Sequence, residues 1–98
     1  MIELTSKQRK ALEKIAHDIE PVVIVGAAGV TDGVIKMVQT SLDAHELIKI
    51  KFNEYKDEKT ELTQKICTKT DATLVRIIGN RAILYKQAEK PEDRKISF

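Results

Sequence analysis

One stretch constrains the fold of this chain more than any other: an apolar run that leads through a glycine-containing loop into a helix-start signal. It reads Val22-Val23-Ile24-Val25-Gly26-Ala27-Ala28-Gly29-Val30-Thr31. The β-branched residues 22–25 predict a buried strand, and the two glycines free the backbone where that strand must turn. Thr31 suits the N-cap of a following helix. Strand, loop and helix start together predict a place where backbone N–H groups can face a phosphate.

Helices and strands alternate along the rest of the chain. Thr5 and Gln8 predict a capping box for a first helix that ends at Glu20-Pro21. This helix carries one apolar stripe, formed by Leu12, Ile15, Ala16 and Ile19. Further helices are predicted at about 32–45 and 57–69. Strands are predicted at 47–52, 73–78 and 81–86, and the last two form a hairpin around Gly79-Asn80.

The predicted order is α-β-α-β-α-β-β, which indicates a mixed α/β (α+β) fold. We expect a four-stranded mixed sheet packed with helices, with parallel pairs joined by crossovers and closed by the antiparallel hairpin. The 98 residues fit a single domain, 1–98. Residues 87–98 are polar and charged, and we expect a tail that is extended or partly disordered.

Composition narrows the functional class. The net charge of +2 comes from 17 basic and 15 acidic residues, so a basic surface requires sorting of charges in three dimensions. Aromatic residues make up only 4% of the chain, which argues against a platform that stacks many bases. Cys67 is the single cysteine, there is no zinc spacing, and no signal peptide or membrane-spanning run is evident. A cytoplasmic protein follows as the expectation.

Two interpretations of the glycine loop remain open at this point. The loop matches neither G-x-x-x-x-G-K-[ST] nor G-x-G-x-x-G, so a nucleotide cofactor is not expected. Gly26 and Gly29 either only shape a tight turn, or they let main-chain amides approach a sugar–phosphate chain, as in the G-x-x-G loop of KH-type RNA binders. Basic residues that could assist are the first-helix cluster and one residue after the hairpin turn: Lys7, Arg9, Lys10, Lys14 and Arg81. A basic helix face of this kind can equally be plain solvated surface.

Catalysis has little support in the sequence. His17 and His45 are the only histidines, and each falls near a predicted helix end, where a cation offsets the helix dipole. No arrangement of nucleophile, base and carboxylate can be argued from spacing. We therefore expect no enzyme, no cofactor and no metal site.

Four segments taken together resemble a known family. They are LTSKQR (residues 4–9), PVVIVGAAGVTDGV (21–34), HELIKIK (45–51) and IGNRAILYK (78–86). In this order they resemble the CRM domain (chloroplast RNA splicing and ribosome maturation), and the single-domain bacterial YhbY-like form is most similar. The resemblance covers nearly the whole chain.

The resemblance implies an RNA-binding domain with a fold similar to the C-terminal domain of translation initiation factor 3. It also implies association with ribosomal RNA in precursors of the large ribosomal subunit, and assistance in their assembly. The expected protein is a monomer with no membrane partner. Its expected RNA-binding residues are the G-x-x-G loop (Gly26, Ala27, Ala28, Gly29), Thr31, and the basic residues Lys7, Arg9, Lys10, Lys14 and Arg81. The alternative is a protein-interaction module that docks on a ribosomal protein or an assembly factor. A weaker alternative is an enzyme that acts on small phosphorylated ligands.

Overall fold

The computed structural model describes residues 2–96, which form a four-stranded sheet with helices on both faces. The elements are α1 (Ser6–Ala16), β1 (Val23–Val25), α2 (Asp32–His45), β2 (Leu47–Phe52), α3 (Lys59–Thr70), β3 (Thr73–Ile78) and β4 (Arg81–Tyr85), with 3₁₀ turns at Lys56–Glu58 and Pro91–Asp93. The predicted order of elements and the mixed sheet are confirmed.

The strands lie in the order β1-β2-β4-β3. β1 pairs with β2 in parallel, whereas β4 pairs antiparallel with both β2 and β3. The prediction of several parallel pairs is therefore wrong in one respect, because the hairpin strand β4 inserts between β2 and β3 and leaves a single adjacent parallel pair among residues 2–96.

Two apolar clusters fill the two faces of the sheet. Under α2 and α3 lies a large cluster that includes Val25, Val38, Ile50 and Phe52. Under α1 lies a smaller cluster that includes Leu12 and Tyr85. α1 contacts β2 and β3, and it leaves uncovered the part of this sheet face that lies beyond the small cluster.

The first strand differs from the prediction of a fully buried run. Val23 and Val25 are buried, but Val22 and Ile24 are 41% and 55% exposed. The reason is that only one face of β1 is covered, the face that packs under α2 and α3, whereas the cluster under α1 includes no residue of β1.

The first helix also differs from its prediction at its C-terminal end. It stops at Ala16 rather than at Glu20-Pro21, and the Ile19 amide bonds back to the Ala16 carbonyl in a tight turn. This turn places Ile19 on the small cluster, while Ile15, predicted to be part of the apolar stripe, is 42% exposed.

The third helix begins two residues later than predicted, because residues 56–58 form the 3₁₀ turn that leads into it. Cys67, which lies beside the predicted Leu62 and Ile66 stripe, is buried with Ile66. Gly79 and Asn80 form the predicted hairpin turn, and Gly79 has a positive φ of 59°.

Residues 87–96 are held against the fold rather than disordered. The buried carboxylate of Glu46 accepts hydrogen bonds from the amides of Ala88, Lys95 and Ile96 at 2.6, 2.6 and 3.1 Å. The last two residues of the predicted tail, 97 and 98, lie outside the described residues. In the part of the chain from residue 2 to 96, none of the helices has the length and apolar content needed to span a bilayer.

Candidate nucleic-acid interface

The glycine loop forms a closed turn at the carboxyl end of β1. The Gly29 amide donates to the Gly26 carbonyl at 3.0 Å, and the Thr31 amide donates to the Gly29 carbonyl at 3.2 Å. Gly29 has a φ of 75°, a conformation that favours glycine. Two of the loop amides are thus used internally, whereas the tip residues Ala27 and Ala28 are exposed and their amides donate no backbone hydrogen bond within residues 2–96.

Thr31 caps α2 as predicted. Its hydroxyl accepts a hydrogen bond from the Val34 amide at 3.1 Å, and its backbone is extended before the helix begins. The remaining first-turn amides belong to Asp32 and Gly33, which have no acceptor inside the helix by the geometry of helix starts. The exposed Asp32 carboxylate offsets part of the positive helix end.

Tyr55, in the loop that follows β2, contacts the glycine loop. Its hydroxyl donates to the Ala27 carbonyl at 2.8 Å, and a Cβ atom on Gly29 would lie 3.4 Å from the tyrosine Cε2. Sequence reasoning missed this residue. The available signal was its place just after β2, because the carboxyl ends of paired parallel strands meet at one edge of the sheet.

A row of four residues crosses the open half of the α1 face of the sheet. Ile24 is paired with Lys51, Lys51 with Arg81, and Arg81 with Ile78, so the four side chains project from the same face. We call Ile24, Lys51, Arg81 and Ile78 the exposed row. Its two isoleucines are 55% and 54% exposed. The row lies two residues before Gly26 along β1.

The centre of the exposed row holds two like charges opposite each other. Lys51 and Arg81 are direct cross-strand partners, an arrangement that destabilises a sheet. Within residues 2–96 neither side chain takes part in an ion pair, whereas Arg76 one rung away is bonded to Glu13 at 2.8 Å. An anion placed between Lys51 and Arg81 would relieve their repulsion.

The Arg9 side chain forms hydrogen bonds to the backbone of β3. Its Nη1 atom donates to the Leu74 carbonyl at 2.8 Å and also to the Val75 carbonyl. These carbonyls lie at the irregular pairing of β3, between Leu74 and Arg76. The guanidinium therefore joins α1 to the irregular part of β3 through two backbone acceptors.

The lysines at the start of α1 are exposed but are not brought to the glycine loop. α1 begins beside the start of β3, where the Thr73 hydroxyl donates to the Ile2 carbonyl at 2.8 Å. Thr73 and Leu47, the first residue of β2, both pair with Tyr85 and so lie at one end of the sheet. The glycine loop follows Val25, which pairs with Phe52, the last residue of β2, at the other end. Along a six-residue strand these ends are about 17 Å apart. Lys7 and Lys10, in the first turns of α1, thus lie towards the far end of the sheet, and Lys14 is in its last turn.

No group of three or more acidic, histidine or cysteine side chains within residues 2–96 is arranged to hold a metal ion. The thiol of Cys67 is buried, and this burial raises its pKa to about 11, so it is protonated and inert near neutral pH. His17 and His45 lie at the ends of different helices and are both exposed.

Comparison with known proteins gives one consistent result. The model of the CRS1 / YhbY (CRM) domain family matches residues 4–86. A Pseudomonas aeruginosa protein named a probable RNA-binding protein is 36% identical over 90% of this chain and 86% of its own length. A Haemophilus influenzae RNA-binding protein is 35% identical over 92% of each chain.

A solved structure is similar over the whole fold. It is the solution structure of a Staphylococcus aureus protein described as a candidate for RNA binding. It has a TM-score of 0.78 and 30% sequence identity, and the match covers 97% of this chain and 100% of that one. Family match, relatives and fold agree: this chain belongs to the CRS1 / YhbY (CRM) domain family of RNA-binding domains.

Proposed function

We propose that this protein binds ribosomal RNA in precursors of the large ribosomal subunit, assists their assembly, and performs no covalent chemistry. The family and the RNA-binding relatives support RNA as the partner. The resemblance to a family of ribosome maturation supports the ribosomal target. The observation that carries the proposal is the Lys51–Arg81 pair, which has no carboxylate partner within residues 2–96 and lies beside the glycine loop.

The glycine loop and the exposed row act as one contact surface in this proposal. The amides of Ala27 and Ala28 and the start of α2 after Thr31 hold one stretch of RNA backbone. Lys51 and Arg81 neutralise the adjacent phosphates. Ile24 and Ile78 are exposed on either side and contact riboses or bases.

The first-helix lysines extend this surface for a longer RNA. Lys7, Lys10 and Lys14 are exposed and contact phosphates farther along the same RNA molecule. Arg9 contributes by fixing α1 to β3 through its bonds to the Leu74 and Val75 carbonyls, which holds the lysines in place.

Gly26→Ala is the sharpest test of the loop. A Cβ atom at Gly26 would have no atom of the described protein within 4 Å, and the backbone there is not in the left-handed region. The change therefore spares the fold but places a methyl group where the RNA backbone would approach. We expect an unchanged unfolding temperature and about a tenfold loss of affinity for ribosomal RNA, roughly 1.4 kcal/mol.

A matched control is Ala44→Ser, which adds one heavy atom at an exposed site at the other end of α2. It should leave the affinity unchanged. Gly29 is a poorer test position because its φ of 75° and the nearby Tyr55 ring make any side chain a folding change as well. If Gly26→Ala binds as tightly as the unmodified protein, the backbone clamp is wrong.

The second candidate is a protein-interaction module for a ribosomal protein or assembly factor. Two isoleucines more than half exposed on one sheet face are the observation that favours it. Binding to protein-free ribosomal RNA separates the two functions. Capture by ribosomal particles without binding to the free RNA would favour the module.

A further inference from the structure

The loop after β2 is tied to the entrance of the glycine loop. The amides of Asn53 and Glu54 both donate to the carbonyl of Val25, at 3.0 and 3.3 Å. Val25 is the residue before Gly26 and pairs with Phe52. These bonds hold Tyr55 at a fixed place beside the glycine loop.

Tyr55 is positioned by a backbone conformation that is unusual for a bulky residue. Its φ is 57°, in the left-handed region, and it precedes the 3₁₀ turn of residues 56–58. Such conformations persist where surrounding structure enforces them, and they concentrate at functional sites. The hydroxyl bond to Ala27 and the contact distance to Gly29 then set the ring against the loop.

The ring remains accessible although it is fixed. Tyr55 is 42% exposed, whereas Phe52 and Tyr85 are buried, so Tyr55 is the exposed aromatic residue of the described range 2–96. The core therefore does not need its ring. A rigid, accessible aromatic ring is the usual platform on which a protein stacks an unpaired base.

Charge around Tyr55 favours a base over a phosphate. An open recess of about 720 Å³ beside the ring is lined by Ala27 and by residues 53–58, whose three carboxylates, Glu54, Asp57 and Glu58, outnumber the one cation, Lys56. Carboxylates repel phosphates, but they accept hydrogen bonds from exocyclic amino groups of bases. The backbone would thus lie at the loop amides and the exposed row, with a base turned towards Tyr55.

We propose that Tyr55 stacks on the base of an unpaired nucleotide whose phosphate is held at the glycine loop, so that this site selects single-stranded over double-stranded RNA. The inference rests on the proposed RNA-binding function and adds a base contact to it. In a duplex the bases are paired and stacked on one another, and Tyr55 could not reach a base face.

Tyrosine fluorescence gives a direct measurement, because the chain has two tyrosines and no tryptophan and Tyr85 is buried. A short single-stranded RNA oligonucleotide should quench the emission of the unmodified protein. The matched duplex should quench it far less.

Two variants separate stacking from bracing. Tyr55→Asn removes the ring but suits the left-handed backbone, and we expect about a tenfold loss of affinity for the single-stranded oligonucleotide. Tyr55→Phe keeps the ring and removes the bond to Ala27, and we expect affinity within about twofold of the unmodified protein. Thermal unfolding of both variants verifies that they are folded.

The other outcomes distinguish a failure of the stacking contact from a failure of the proposed function. If Tyr55→Asn retains full affinity, or if Tyr55→Phe loses as much as Tyr55→Asn, base stacking is overturned. If in addition Gly26→Ala weakens binding, the proposed function stands without the stacking contact. If the unmodified protein binds neither oligonucleotide nor ribosomal RNA, the proposed function fails and this inference fails with it.

Discussion

At the scale of single residues, the hydroxyl of Thr63 is a defect that mutation can remove. Thr63 is fully buried in α3, and its hydroxyl has no hydrogen-bond partner within residues 2–96. A buried polar group without a partner costs stability. Thr63→Val has nearly the same shape and should raise the free energy of unfolding by about 1 kcal/mol. Thermal unfolding should show a midpoint higher by roughly 4–8 °C.

The same helix supplies a matched control for this prediction. Thr60 is exposed, so Thr60→Val makes the same chemical change without burying or releasing a polar group. Its effect should stay within about 0.5 kcal/mol. Equal shifts for the two variants would show that the gain comes from the helix or the unfolded state and not from the buried hydroxyl.

Residue roles could be predicted from the sequence where the partners are close in the chain. The capping box of Thr5 and Gln8 and the Thr31 cap are confirmed, because donor and acceptor are three residues apart. Arg9 and Tyr55 were not predictable in this way, since their bonds reach Leu74 and Ala27 across long stretches of chain. The RNA contacts assigned to the glycine loop and to the basic residues remain proposals.

At the scale of elements, the C-terminal segment depends on one buried carboxylate. Glu46 accepts bonds from three amides of residues 88–96 and its own carbonyl accepts one from Lys86 at 2.8 Å. Glu46→Gln retains one oxygen but points an N–H₂ group at an amide donor. We expect a loss of about 2 kcal/mol in the free energy of unfolding, as for hydrogen bonds to charged groups.

Release of this segment can be measured by limited trypsin digestion, because Arg94 and Lys95 lie within it and neither is followed by proline. Cleavage at these sites should accelerate in Glu46→Gln while the rest of the chain stays intact. The control is Glu89→Gln, which makes the same change at an exposed position of the same segment. Identical digestion of all three proteins would mean that Glu46 does not anchor the segment.

The type of each element, helix or strand, was predictable from the local sequence pattern. Which other elements cover it was not. The alternation of residues 47–52 and the period of residues 32–45 are confirmed as β2 and α2. The run of residues 22–25 looks fully buried from its composition, yet β1 is an edge strand with one open face. The sequence carries no local sign that α1 stops short of that face. Order in residues 87–96 likewise depends on Glu46, which is distant in the chain.

At the scale of the whole molecule, strand order creates the proposed interface. Lys51 faces Arg81 only because β4 lies between β2 and β3. The pattern of helices and strands predicts a mixed sheet but allows other orders, so this pairing could not be foreseen. The exposed row and the lysines in the first turns of α1, Lys7 and Lys10, then lie towards opposite ends of the sheet. The positions of the basic side chains, rather than the small net charge of +2, should therefore govern RNA binding.

Two double variants that remove equal charge test the importance of position. Lys51→Gln/Arg81→Gln and Lys7→Gln/Lys10→Gln each eliminate two cations; Lys51 is half-buried and the other three residues are exposed. For a short single-stranded RNA, the first pair should reduce the salt dependence of log affinity by about 1.4, roughly 0.7 for each lost phosphate contact. The second pair should leave that slope nearly unchanged.

A long ribosomal RNA fragment should respond differently, because it can reach both ends of the sheet. With this probe the Lys7→Gln/Lys10→Gln protein should also lose affinity and salt dependence, though less than the Lys51→Gln/Arg81→Gln protein. Equal losses for the two proteins with the short RNA would contradict a localised interface, since only overall charge would then matter. An intact Lys51–Arg81 pair also costs folding stability, so its removal should not lower the unfolding temperature, and the lost affinity can be attributed to the missing contacts.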